Sequence, residues 1–340
     1  MNGKDKKVLV LGGTGVMGAY LVEELLSRGY SVDAGCSHPL ISNRERLQYV
    51  TGDFVDFQTI RSFLKGKHYD AIIDFMTYNT AQFAERYELL FSSTDHFVFL
   101  SSYRVYSDAE VPTVETSPRL LDVVDDREFL NSDDYSLFKA REENIIRNSV
   151  FSNWTIVRPA ITYSSRRIAF VTLELPFMLR RSAAGKPIYI PQEVYEVEAT
   201  CTWAGDVARM IARLVLNPAA FGETYSVCTA EHQTWGTIAG YYKELLGSDI
   251  RPVPMDTYLG FFGNTQVKRW MLIYDRCMKR IMDNSKILAA TDMKQEELCP
   301  LKEGIAKSIA GVPEGYKWPA YTLLADVDAR MDSYSGGFFK

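Results

Sequence analysis

The apolar residues of the chain fall in short bursts, and the first is the clearest: Val8, Leu9, Val10 and Leu11 run unbroken into Gly12. A run without polar alternation predicts a strand covered on both faces, as in a parallel sheet. From about Val16 the spacing changes. Ala19, Val22, Leu25 and Leu26 recur at helical intervals, and Arg28 with Gly29 supplies a basic last turn and a glycine stop. A short strand over Ser31–Cys36 follows. The rhythm then repeats with a strand at 48–50, a helix at Phe57–Leu64, a strand at 71–74, a helix at 81–91 and a strand at 96–100. This alternation predicts an α/β fold with a doubly wound parallel sheet of the Rossmann type.

A loop rich in Pro, Thr and Asp at 107–134 leads into a helix opening near Tyr135, and 154–158 reads as a sixth strand stopped by Pro159. Beyond Tyr163 the pattern loses its regularity, and aromatic and basic residues mix among short helices. That change marks a smaller mixed C-terminal lobe covering a substrate site. Residues 206–216 read as a helix and 224–227 as a strand returning to the main sheet. The expected division is a dinucleotide-binding domain at 1–165, rejoined by 196–230, and a substrate lobe made of 166–195 and 231–340. A chain of 340 residues accommodates one large domain or two closely joined ones.

Composition narrows the function classes. With 46% hydrophobic and 24% charged residues the chain is an ordinary globular protein. A net charge of -5 offers no general attraction to phosphate backbones, so no nucleic-acid partner is expected. The five cysteines are odd in number and scattered, which fits reduced thiols and a cytoplasmic protein. No apolar stretch approaches the ~20 residues of a membrane span, and the polar start gives no signal segment. His68, His96 and His232 have no partners at metal-ligand spacing, so no metal is expected.

Gly12, Gly15 and Gly18, with Val16 and Met17 between the last two, lie directly after the first strand and at the start of a helix. Glycines there permit a tight turn, a close approach of backbone to a pyrophosphate and tight helix–strand packing. The helix N-terminus favours the phosphate charge. These five residues are the expected cofactor cradle. An acid about 20 residues on commonly holds the ribose hydroxyls. Here Cys36 occupies that place, with Asp33 inside the strand and Arg44 and Arg46 beyond it. The two arginines fit either a 2′-phosphate or a solvated surface, so the cofactor is NAD or NADP. Asp53, after the third strand, suits a hydrogen bond from an adenine amine or the capping of the next helix.

Tyr135 and Lys139 stand four residues apart on one helix face, and Tyr135 is the one tyrosine in the chain with a lysine four later. An ammonium beside a phenol favours the phenolate, preparing it to exchange a proton with a substrate hydroxyl. Ser102 closes the fifth strand, at the edge where open α/β sheets bind ligands. It is placed to hydrogen-bond the same substrate oxygen.

The segments GGTGVMG, GDFVD, FLSSYRVYSD, YSLFK and IVRPAITY, in that order, resemble the extended short-chain dehydrogenase/reductases over residues 7–165, with an echo in WAGDVA at 203–208. The pattern is most similar to the NAD-dependent epimerase/dehydratase family, including its chloroplast stem-loop-binding-like branch. The resemblance implies that Ser102, Tyr135 and Lys139 are the catalytic set, that Lys139 also holds the nicotinamide ribose, and that Asp53 contacts adenine. It implies a nucleotide-sugar substrate and a homodimer formed through helices 81–91 and 135–148, extended by Val150 and Phe151. Cys36, Ser107 and Ser164 depart from the family's acid, VYG and post-tyrosine glycine positions. Sugar dehydratases of the superfamily carry Asp-Glu after the catalytic Ser/Thr. This chain has Tyr103 and Arg104, which implies epimerisation or ketone/alcohol interconversion in place of 4,6-dehydration. The competing expectation is a non-catalytic nucleotide-sensing or RNA-binding relative on the same fold.

Overall fold

In the computed structural model, which describes residues 5–167, 169–312 and 322–336, the apolar run at the N-terminus forms β1 (Lys7–Leu11), an interior strand of a sheet. Around it lie β2 (Ser31–Cys36), β3 (Leu47–Thr51), β4 (Tyr69–Asp74), β5 (Thr94–Leu100) and β6 (Trp154–Pro159). A seventh strand, Glu223–Val227, joins β6, so the returning strand expected at 224–227 does pair with the main sheet. The spatial order is seventh strand, β6, β5, β4, β1, β2, β3, and every pairing is parallel. Chain direction across the sheet reverses between β1 and β4, the switch point where such sheets bind ligands.

The unbroken apolar pattern of β1 is explained by layers on both faces. Val8 and Val10 pack with Leu21, Val22, Leu25 and Leu26 of α1 (Gly18–Ser27) and with Val207, Met210 and Ile211 of the helix Ala204–Leu214. Leu9 and Leu11 face the other way, against Ile60 and Leu64 of α2 (Phe57–Leu64) and Phe83, Leu90 and Phe91 of α3 (Thr80–Ser92). Such period-two sorting between two cores is the physical content of a doubly wound sheet.

The 107–134 segment is more ordered than its composition predicts. It carries two single-turn helices, α4 (Leu120–Val123) and α5 (Arg127–Leu130), the second capped by Asp126 accepting from Phe129 N at 3.0 Å. Leu120 and Phe129 form a small core with Trp270 and with Leu137 of α6 (Tyr135–Arg147). The helix expected at 206–216 runs Ala204–Leu214 and stops where Leu216 turns left-handed at φ 56°. A separate aromatic core joins Tyr103, Val105 and Tyr106 at the end of β5 to Phe170, Trp235, Tyr242 and Tyr258. No described helix is long and apolar enough to cross a membrane.

Candidate functional site

The glycines at the end of β1 are required by close contacts. Gly12 adopts φ +75°, a conformation L side chains rarely take, and Gly15 N donates to Gly12 O at 2.9 Å to close the turn. A Cβ on Gly18 would sit 2.2 Å from Gly12 O and 2.9 Å from Gly13 Cα. No side chain caps α1, leaving its N-terminal dipole available to an anion. Gly12, Gly15, Val16, Met17 and Gly18 all line one cavity of about 420 Å³ at the β1–β4 switch point, a cradle whose bare backbone suits a dinucleotide pyrophosphate.

Ser102 and Tyr135 line the same cavity, from the end of β5 and the first residue of α6 respectively. Asp134 fixes the start of α6 by accepting from Ser136 N at 2.9 Å and Ser136 Oγ at 2.6 Å. Ser101 donates its hydroxyl proton to Glu143 at 2.6 Å, and Glu143 is gripped by Arg158 at 2.8 and 2.6 Å. Ser102 Oγ instead accepts only the Arg104 N–H, at 3.2 Å, so its proton stays available. The Arg104 guanidinium lies 5.3 Å from the centre of the Tyr135 ring.

Lys139, one turn beyond Tyr135, does not line the cavity. It is buried, with Nζ 3.0 Å from Glu142 Oε2 and 4.6 Å from the centre of the Phe99 ring. Two carboxyls attract it inward. Burial pushes Glu142 up to about 7 and Asp74 up to about 6, and the Lys139 charge opposes both shifts.

The remaining expected residues lie outside the cavity. Asp53 is exposed after β3, and its Oδ1 accepts from Val55 N at 3.1 Å, a turn contact that leaves the second oxygen unengaged. Cys36 is buried and donates to His38 O at 3.1 Å. Asp33 is internal to β2, accepting from Tyr69 OH at 2.7 Å and pairing with Lys7 at 2.9 Å. Arg44 pairs with Glu23 at 2.5 Å, as a solvated surface arginine does.

The cavity also contains residues that no local motif marks. Arg104, Arg167 and Arg276 line it, and among the described residues no carboxylate does. Arg276 ends a π turn, Leu272–Arg276, which continues directly from the helix Gln266–Met271. Its Nε donates to Val171 O at 2.6 Å, and Val171 is itself held at φ 54°. Both π turns and left-handed β-branched residues mark functional sites more often than plain scaffold. The run of aromatic and basic residues beyond Tyr163 was the available signal, too diffuse to name Arg276.

A family model, the NAD dependent epimerase/dehydratase family, matches residues 8–228, more than half of the chain. A mouse sterol-4-alpha-carboxylate 3-dehydrogenase, decarboxylating, is 41% identical over 63 residues, 18% of this chain and 17% of that protein. Chloroplast stem-loop binding protein of 41 kDa b from Arabidopsis thaliana is 21% identical over 251 residues, 69% of this chain and 62% of its own. The alignments thus span less than two thirds of either relative's length. The structure of MoeE5 in complex with UDP-glucuronic acid and NAD superposes with a TM-score of 0.69 at 18% identity, covering 89% of this chain and 98% of that one. Cradle, sheet order and family match agree: the chain belongs to the NAD dependent epimerase/dehydratase family.

Proposed function

We propose that this chain moves a hydride between NAD and a carbinol or ketone carbon of a nucleotide-linked sugar, either inverting the carbon or interconverting alcohol and ketone. The observation that carries the proposal is the shared cavity, in which Ser102 and Tyr135 face the same space as the glycine cradle. NAD is the family's cofactor, and it supplies the hydride acceptor. Gly12, Gly15, Val16, Met17 and Gly18 hold its pyrophosphate, Lys139 its nicotinamide ribose and Asp53 its adenine amine. Tyr135 takes the proton of the sugar hydroxyl as hydride departs and returns it in the reverse step, while Ser102 hydrogen-bonds the same oxygen. Arg104, Arg167 and Arg276 line the cavity and suit the negative charge of diphosphates, each held from outside the lining by a carboxylate, Asp275 for Arg104 and Arg276 and Glu174 for Arg167.

Elimination of water from a sugar needs an acid and a base near the hexose tail, and the site offers no carboxyl for them. The hydroxyl of Tyr103 is committed to Asp275 at 2.6 Å, and the guanidinium of Arg104 offers only donors, with no lone pair to accept a carbon-bound proton. Glu174 pairs with Arg167 at 3.2 Å, Glu193 accepts from Met255 N at 3.0 Å, and neither lines the cavity. The test is proton NMR of UDP-, GDP-, CDP- and dTDP-linked hexoses after incubation with enzyme and NAD, with reduced nicotinamide followed by absorbance. Inversion at a ring carbon or a new ketone supports the proposal. A new upfield 6-deoxy methyl doublet refutes it.

A further inference from the structure

Three ionisable side chains meet beneath the cavity: Lys139 and Glu142 on α6 and Asp74 at the end of β4, each at most 2% exposed. Asp74 Oδ1 accepts from Met76 N at 2.9 Å and from Tyr78 OH at 3.4 Å. Asp74 Oδ2, both oxygens of Glu142 and Lys139 Nζ have no aligned hydrogen-bond partner, although Nζ lies 3.0 Å from Glu142 Oε2. Four orphaned polar atoms in one buried place are rare in a folded protein and call for an explanation. One ammonium also faces two carboxyls, so the cluster carries excess negative charge unless a carboxyl holds a proton.

We propose that Glu142 is a positioning residue that holds Lys139 turned inward, and that Lys139 leaves it for NAD as Glu142 takes up one proton from solvent. The proposal rests on the reading of Lys139 as the residue that holds the nicotinamide ribose. The proton balance is simple. The ion pair is broken, Lys139 keeps its charge, and the stranded carboxylate is neutralised by a proton from buffer.

The groups around Glu142 leave Lys139 as its main counter-charge. On its own helix, Glu143 is already bound by Arg158 at 2.8 and 2.6 Å and by Arg119 at 3.3 Å. From β4 comes Asp74, and beyond it Tyr78 and Arg86. Arg86 lies 4.1 Å over the Tyr78 ring and donates to Gln82 O at 2.6 Å and Val55 O at 2.9 Å. Burial already places Glu142 near 7 with Lys139 beside it, and removing Lys139 raises it further. Below about 7 Glu142 is protonated before NAD arrives and no proton is taken up. Above that value uptake is obligatory, so affinity for NAD falls as pH rises, approaching tenfold per pH unit for one linked proton.

Isothermal titration calorimetry of the nucleotide-stripped chain with NAD tests this, in paired buffers of different ionisation enthalpy from about pH 6 to about pH 8.5. The expected result is proton uptake rising from near zero toward one, with affinity declining over the upper half of the range. Glu142→Gln should abolish both uptake and pH slope, which a residue with a purely structural role would not do. Wild-type binding without proton uptake across the range overturns the proposal, even if the Gln variant fails to fold. Lys139→Met separates the two levels. If it weakens NAD while the wild type takes up no proton, Glu142 has no such role. If it leaves affinity unchanged, the ribose assignment falls and the proposal falls with it.

Discussion

Tyr135 and Lys139 share a helix face in sequence, yet they occupy different environments, one at the cavity wall and one buried behind it. The proton-transfer role assigned to Tyr135 needs only its hydroxyl. Tyr135→Phe keeps the ring, its edge contact with Phe138 at 5.3 Å and its place beside Arg104. Turnover should drop by about 10²–10⁴-fold. NAD affinity measured by calorimetry should stay within about twofold, since no cradle residue changes. Activity persisting within about tenfold of wild type would remove Tyr135 from the mechanism. At this scale the sequence was informative wherever chemistry is encoded by neighbours: the glycine cradle, Ser102 and Tyr135 all reach the cavity. It was silent about Arg276, carried there by a π turn far along the chain, and about Glu142, which the fold buries completely.

The elements of the sheet were legible because each satisfies one period over its whole length. Residues 57–64 are helical as expected, and the strands expected at 48–50, 71–74 and 96–100 each gain only one to two residues at their ends. Helix α6 shows what hides from pattern reading. Ser136, Lys139, Glu142 and Glu143 are all buried in it, so its polar face is an interior face. The covering comes from α4 on one side and α3 on another, and neighbours distant in sequence leave no trace in a helix's own periodicity. Helices α4 and α5 escaped for another reason: four residues make a single turn, too short to show any repeat. Their stability comes from the core of Leu120, Phe129, Leu137 and Trp270, supplied by three separate stretches of chain.

At the scale of the whole molecule, two predictions follow from how distant segments meet. Helices α3 and α6 lie side by side, Phe151 stacks on Phe91 at 5.3 Å, and Val150 beside them is 96% exposed. The homodimer expected through these helices would cover that valine. Light scattering at micromolar concentration should therefore give a dimer mass, and Val150→Asp should shift it toward monomer without lowering Tm. A monomeric wild type would contradict this assembly. The second prediction concerns Asp275, which ties the turn Leu272–Arg276 to the segment just after β5. Its buried carboxylate accepts from Tyr103 OH at 2.6 Å, pairs with Arg280 at 2.9 Å and Arg104 at 3.2 Å, and binds Arg276 beside it. Burial alone would raise this carboxyl, but Arg276, Arg104 and Arg280 outweigh burial and hold it below the usual carboxylate range. Asp275→Asn leaves three guanidiniums crowded around a neutral amide, and breaking such a pair from one side costs about 3–5 kcal/mol. Urea unfolding near neutral pH should show that loss, and a difference under about 1 kcal/mol would mean that Asp275 does not hold these two segments together. The pH dependence gives a second check. A carboxyl depressed in the folded state stabilises fully above its unfolded value of about 3.9, and this contribution is lost as pH falls through the folded value. The gap between wild type and variant should be the same at about pH 7 and about pH 5, and narrow only below about pH 4.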